Sequence, residues 1–133
     1  MTSGIYNKHR ADLQNGEIDL EADDITVMLM DSDHAFSATD NVISDVSANE
    51  ISGTGYTAGG QSLANLSVVQ GDPTNFDADD AVWTDATFSA YHAVIYNNTT
   101  SNLISSIDFG EEKPVSQGDF TISWDAAGII TIS

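Results

Sequence analysis

Thr87-Phe-Ser-Ala-Tyr-His-Ala-Val-Ile-Tyr96 is the stretch on which the fold turns. It alternates with the two-residue period of a pleated strand. Phe88, Ala90, His92, Val94 and Tyr96 share one face; Thr87, Ser89, Tyr91, Ala93 and Ile95 share the other. Both faces are largely apolar, which predicts a central strand covered on both sides. Downstream, Asn97-Asn-Thr-Thr-Ser-Asn102 is turn chemistry. Leu103 to Phe109 then reads as the hairpin partner, with Ile104 opposite in face to Leu103 and Ile107. Gly110-Glu-Glu-Lys-Pro114 reads as a turn with a proline stop. Phe120-Thr-Ile-Ser-Trp124 alternates again, with Phe120, Ile122 and Trp124 facing inward. Asp125-Ala-Ala-Gly128 should turn the chain into Ile129-Ile-Thr-Ile132, giving a C-terminal hairpin tied into the sheet. Upstream, Ile25-Thr-Val-Met-Leu-Met30 reads as a buried strand between aspartates. Leu63 to Gln70 and Phe76 to Trp83 read as weaker strands.

One segment has a different period. Ile5, Tyr6, His9 and Leu13 recur at helical spacing, and Gly16 offers a left-handed stop. Residues 4–14 therefore predict a short amphipathic helix, carrying Lys8 and Arg10. Glu17 to Asp24 alternates Ile18, Leu20 and Ala22 with acids, as an exposed edge segment does. Short strands at about 8–12-residue spacing suggest a sandwich or barrel. The expected fold is an all-β, single-domain antiparallel β-sandwich or small barrel with a short N-terminal helix. Residues 1–15 form the helical segment, a possible docking arm, and residues 16–133 the β domain.

The chain has 133 residues, 41% of them hydrophobic, enough for one packed core. Asp and Glu number 21 against three Lys and Arg, a net charge of −18. That balance argues against nucleic acid, whose phosphates call for basic residues. It fits a high-salt solvent, where charges are screened within about 3 Å near 1 M. It equally fits a surface that stays hydrated on a large assembly. No apolar run approaches the ~20 residues of a membrane span. The opening residues carry no apolar run after Lys8 and Arg10, so no secretory signal and no membrane partner are expected. Without cysteine there is neither a disulfide framework nor a thiolate metal site.

Reactive constellations are missing from the pattern. His9, His34 and His92 are far apart and lack H-x-H or E-x-x-H spacing. His92 reads as a hydrogen-bonded core histidine and His34 as part of a solvated loop. No Gly-x-Ser-x-Gly elbow is present, and the many acids make paired carboxylates uninformative. Asp77, Asp79 and Asp80 are weak calcium candidates, since oxygen donors cluster there. They lack the glycine and distal glutamate of the helix–loop–helix calcium loop, so no cofactor is expected. Gly53-Thr-Gly-Tyr-Thr-Ala-Gly-Gly60 has no lysine to make it a phosphate loop, and reads as a flexible wide turn needing positive φ. If that loop bound carbohydrate, Tyr56 would be its exposed aromatic.

Several segments together resemble a known family. They are Gly16-Glu-Ile-Asp-Leu20, Ile25 to His34, Asp45 to Gly60, Asp79 to Thr84, Ala93 to Tyr96, Ile107 to Gly110, Gly118 to Ile122 and Trp124 to Ile129. In order and spacing they resemble the small acidic virion structural proteins of tailed bacteriophages and related archaeal viruses. Glu50-Ile-Ser-Gly-Thr-Gly-Tyr-Thr-Ala-Gly-Gly60 is the most specific part. This chain is more acidic than the family pattern, in keeping with a salty habitat. The resemblance implies a particle component with no catalytic residues, made in the host cytoplasm and placed on the outer surface of the head. A capsid cement or decoration subunit is the leading expectation, binding the major capsid protein or another virion protein as a homo-oligomer, with a trimer expected. Alternatives are a tail, neck or fibre-base component, or a carbohydrate- or host-binding module. Tyr6, Lys8, Arg10 and Tyr56 are the candidate partner-binding residues.

Overall fold

A computed structural model describes residues 4–124 and 128–132. The chain is all-β with one helix, arranged as two antiparallel sheets. The larger sheet has the order β1-β7-β6-β2-β3: Gly4–Ile5, Asn102–Ile122, Ala81–Asn97, Ile25–Met30 and Gln61–Ser62. The smaller has the order β4-β5-β8: Ser67–Val69, Thr74–Asp77 and Ile130–Ile132. The helix α1 spans Asn7–Asn15, and two 3-10 turns span Ile43–Asp45 and Ser47–Asn49.

The strand that decides the fold is central, as its apolar faces require. β6 pairs with β7 along its length and with β2 over Ile25–Met30. Every residue from His92 to Asn97 is buried, as is every residue of β2. Their faces differ from strict alternation. The β6–β7 register shifts between Ala90 and His92. There Tyr91 alone stands opposite four residues of β7, Phe109 to Glu112, and the two faces of β6 exchange across this bulge. Phe88 and Ala90 therefore join Ala93 and Ile95 in the principal core, not Val94 and Tyr96. A second irregularity lies around Asp85, whose φ is +50°, and keeps Trp83 and Ala86 in the same core.

Two hydrophobic clusters cover the two faces of the larger sheet. The principal one joins Ile25, Val27, Leu29, Trp83, Phe88 and Ile95 to Phe76 and Ile130 of the smaller sheet, a sandwich-like arrangement. The other places Tyr6, Met28, Met30, Val94, Tyr96 and Leu103 beneath Val46.

Several boundaries depart from the sequence expectation. The helix begins at Asn7 rather than at residue 4, because Gly4 and Ile5 pair with Ser106 and Ser105 of β7. Its end is as expected: Gly16 takes φ +69° and returns its N–H to the Asp12 and Leu13 carbonyls. Glu17 to Asp24 is a turn, not an edge strand, since the Asp19 carboxylate accepts the N–H groups of Glu21 and Ala22. Within Leu63 to Gln70 only Ser67–Val69 is strand, because the chain leaves β3 at Ser62 and crosses to the smaller sheet before β4 begins. Phe76 to Trp83 likewise divides into β5 and β6.

The Gly110–Pro114 segment does not end the strand: the chain bulges there, with Gly110 at φ +81° and its N–H held by Asp108 Oδ1. β7 runs through it, with Pro114 opposite Ser89. β1 covers only Ser105 and Ser106 on the outer side of β7, so Pro114 lies where that flank is an edge, the place a sheet tolerates proline. The C-terminal hairpin is also replaced. β8 pairs with β5, not with the preceding strand, through Phe76↔Ile130 and Thr74↔Ile132. Asp125, Ala126 and Ala127 of its expected turn lie outside the described residues.

Candidate functional site

The N-terminal segment is not a free arm. Tyr6 is fully buried, with its ring 5.0 Å from that of Phe36, and burial pushes its phenol up to about 12. It cannot be an exposed docking residue. Lys8 Nζ is ion-paired with Asp12 Oδ1 of the next helical turn at 3.0 Å. Arg10 stays exposed, its Nη1 donating to Asn7 Oδ1 at 3.1 Å. The expected trio thus divides into a core aromatic, an internally paired cation and one outward guanidinium.

The glycine-rich loop is tied down rather than flexible. Tyr56 donates its hydroxyl to Glu50 Oε2 at 2.5 Å, and the same oxygen accepts the Gly59 N–H at 2.7 Å. The Tyr56 oxygen in turn accepts the Leu29 N–H of β2 at 3.0 Å. Burial, and then the Glu50 carboxylate, hold this phenol far above the ordinary tyrosine range. Its ring packs on Trp83 and Phe88. Tyr56 therefore faces the core, which corrects its reading as an exposed glycan platform. The positive-φ expectation holds at Gly55, Gly59 and Gly60. Gly60 is the strictest case: φ is +86° and a Cβ there would lie 1.9 Å from the Val27 carbonyl oxygen.

The calcium candidates do not converge. Asp77 Oδ1 caps the Ala78 N–H, Asp79 Oδ2 accepts from Asn65, and Asp80 Oδ1 accepts the Trp124 N–H. Among the described residues no group of three or more His, Asp or Glu side chains is placed to hold a metal ion. The denser acidic network lies elsewhere. Asp24 accepts from Ser62, Asn98 and Thr26, and the first two of these hold its carboxyl below the usual range.

All three histidines are buried. His92 is in the core as expected, its Nδ1 3.8 Å from Asp108 Oδ1. His34 is not solvated: it is 4% exposed, 3.0 Å from the Ser106 hydroxyl, and edge-on to His92 with ring centroids 5.1 Å apart. Burial, and then the neighbouring His92, lower its basicity. The sequence conceals this pair because 58 residues of chain separate its members (92 − 34).

The feature that sequence reading missed is an apolar cleft of about 420 Å³ beside the end of β7. Ile107, Phe109, Phe120, Trp124 and Ile129 line it, with Lys113 among them. Trp124 is half-buried, its Nε1 donating to the Asp79 carbonyl at 2.9 Å. Phe109 before Gly110, and Trp124 at the last step of an alternating run, were the available signals. Their convergence depends on the continuation of β7 between them.

Most acids lie outward, among them Glu17, Glu21, Asp33, Asp45, Asp72, Asp85, Glu112 and Asp119. Lys113 is paired with Glu111 at 2.9 Å. No helix among the described residues is long and apolar enough to cross a membrane. No protein-family model, curated protein or solved structure matches the chain.

Proposed function

We propose that this chain is a virion structural protein, a capsid auxiliary subunit of the cement or decoration type that binds and stabilises the outer head shell. The observation that carries this reading is the contrast between an acidic surface and the apolar cleft at Phe109, Phe120 and Trp124. Exposed carboxylates keep most of the molecule hydrated and resistant to casual contact. The cleft is where an apolar side chain of a shell subunit is received, and aromatic residues are the usual anchors of such contacts. This moves the docking face away from the helix, since Tyr6 and Lys8 are engaged within the chain. The proposal includes a homo-oligomer, a trimer at a symmetry axis of the head. A glycan-binding role loses its main support with Tyr56 turned inward.

The test is copy number, by quantitative mass spectrometry of purified particles with the major shell protein as internal standard. On the order of hundreds of copies is the expected result for a lattice-bound subunit. About a dozen or fewer would transfer the chain to the tail, neck or fibre base, as symmetry there requires. Absence from the particle would overturn the virion reading.

A further inference from the structure

His9 on α1 is buried, 1% exposed, and neither Nδ1 nor Nε2 has a hydrogen-bond partner among the described residues. Buried polar groups in folded proteins are ordinarily paired. Burial pushes this imidazole down to about 4, with Asp12 opposing and Arg10 reinforcing the shift. It is therefore neutral at ordinary pH, offering one acceptor and one donor nitrogen.

The imidazole stands at two adjoining cavities that share His9, Leu13 and Ile130 as walls. The inner one, about 150 Å³, continues to Leu20, Val68 and Phe76. Asn75 also lines it, and the Asn75 Oδ1 is a second buried acceptor without a partner. The outer one, about 390 Å³, is bounded by the exposed side chains of Arg10 and Gln14, which mark its mouth.

We propose that these cavities form a binding site for a small, uncharged, largely apolar molecule bearing a hydroxyl, of the size of phenol. Three observations carry it. The inner walls are aliphatic and aromatic, and a cavity of about 150 Å³ so lined accommodates a benzene-sized ring. His9 and Asn75 place unpaired acceptors there, each able to receive the O–H of such a ring. The net charge of −18 and a neutral imidazole disfavour an anion, while the exposed Arg10 guanidinium at the mouth disfavours a cation. The inference is independent of the virion reading: it concerns the seam between α1 and the smaller sheet, not the cleft at Trp124.

Phenol is the probe, followed by NMR of the His9 side-chain nitrogens and of the Leu13 and Ile130 methyl groups. With seven heavy atoms it should bind saturably, with Kd on the order of 1 mM. Contacts from its ring protons to those methyl groups should be visible. Anisole, which keeps the ring but has no O–H, should bind at least about tenfold more weakly, because the buried acceptors stay unpaired. In His9→Leu that preference should shrink severalfold. Leu13→Trp should fill the chamber and abolish binding while the far-UV spectrum stays native. If Leu13→Trp does not fold, the ring-to-methyl contacts in the parent chain still locate the site. Equal affinity for phenol and anisole, ring contacts elsewhere, or an unperturbed His9 that holds only water would each overturn the proposal.

Discussion

At the residue scale, single polar atoms decide how this chain is locked. Tyr56 links three segments through one oxygen: the Glu50 carboxylate, the Leu29 N–H and, through Glu50, the Gly59 N–H. Tyr56→Phe keeps the ring on Trp83 but leaves a half-buried carboxylate and a strand N–H short of partners. The expected cost is about 1–3 kcal/mol, read from the urea midpoint. Gly60→Ala should cost more, about 2–4 kcal/mol, because its φ and the Val27 carbonyl both oppose a Cβ. His9 supplies a pH dependence. Its folded value of about 4 lies below the ordinary 6.5, so between those values the unfolded chain takes up the proton more readily. Stability from this group is complete above about pH 6.5 and declines as pH falls toward 4, by up to on the order of 3 kcal/mol. Other groups titrate nearby, so the measurement is a comparison: the gap between parent and His9→Leu melting temperatures should change between pH 7 and pH 4 in favour of the variant. A constant gap would refute the neutral buried imidazole.

At the scale of elements, the bulge of β7 at Phe109 to Glu112, opposite Tyr91, governs the packing of the longest hairpin. Without it, alternation would put Phe88 and Ala90 on the face of Val94 and Tyr96, away from Trp83 and Phe120. Deleting Gly110, Glu111 and Glu112, which leaves Phe109 alone opposite Tyr91, should impose strict alternation and so abolish the cooperative melt and the near-UV signal, while chain length is almost unchanged. A sigmoidal melt within a few degrees of the parent would show that the register can adapt. The existence of β2 and of the later half of β6 was legible because β2 is a largely apolar run between aspartates and Thr87 to Tyr96 alternates with both faces largely apolar. The bulge was not, because a two-residue period is a local property and the shift arises from pairing with β7. Pro114 misled for the same reason: its local preference is for a turn, and the pairing of Pro114 with Ser89 and of Lys113 with Ala90 overrides it, while Gly110 keeps a positive φ of +81° inside the bulge.

At the scale of the molecule, charge dominates. A net charge of −18 on 133 residues should destabilise the compact state at low ionic strength, where screening extends beyond about 10 Å below 0.1 M. The melting temperature of the isolated chain should rise by several degrees or more from low to molar salt, and a flat profile would remove the case for high-salt adaptation. The proposed contact is apolar, so it should respond differently. Trp124→Ala should release the chain from particles with little change in its own melting temperature, since Trp124 is half-buried and lines an open cleft. Retention equal to the parent would place the docking face elsewhere.

Composition and periodicity alone determined that the chain is all-β, acidic, cysteine-free and helical only near its start. Each of those properties is carried by a residue type or by its nearest neighbours. The partner of β8, the burial of His34 against His92, the inward turn of Tyr56 and the two cavities at His9 were decided by the tertiary structure. Each joins segments far apart in the chain, and which of many apolar runs pair is settled by the packing of the whole core. Spacing records what a segment prefers; only the assembled sheets show which of its side chains meet.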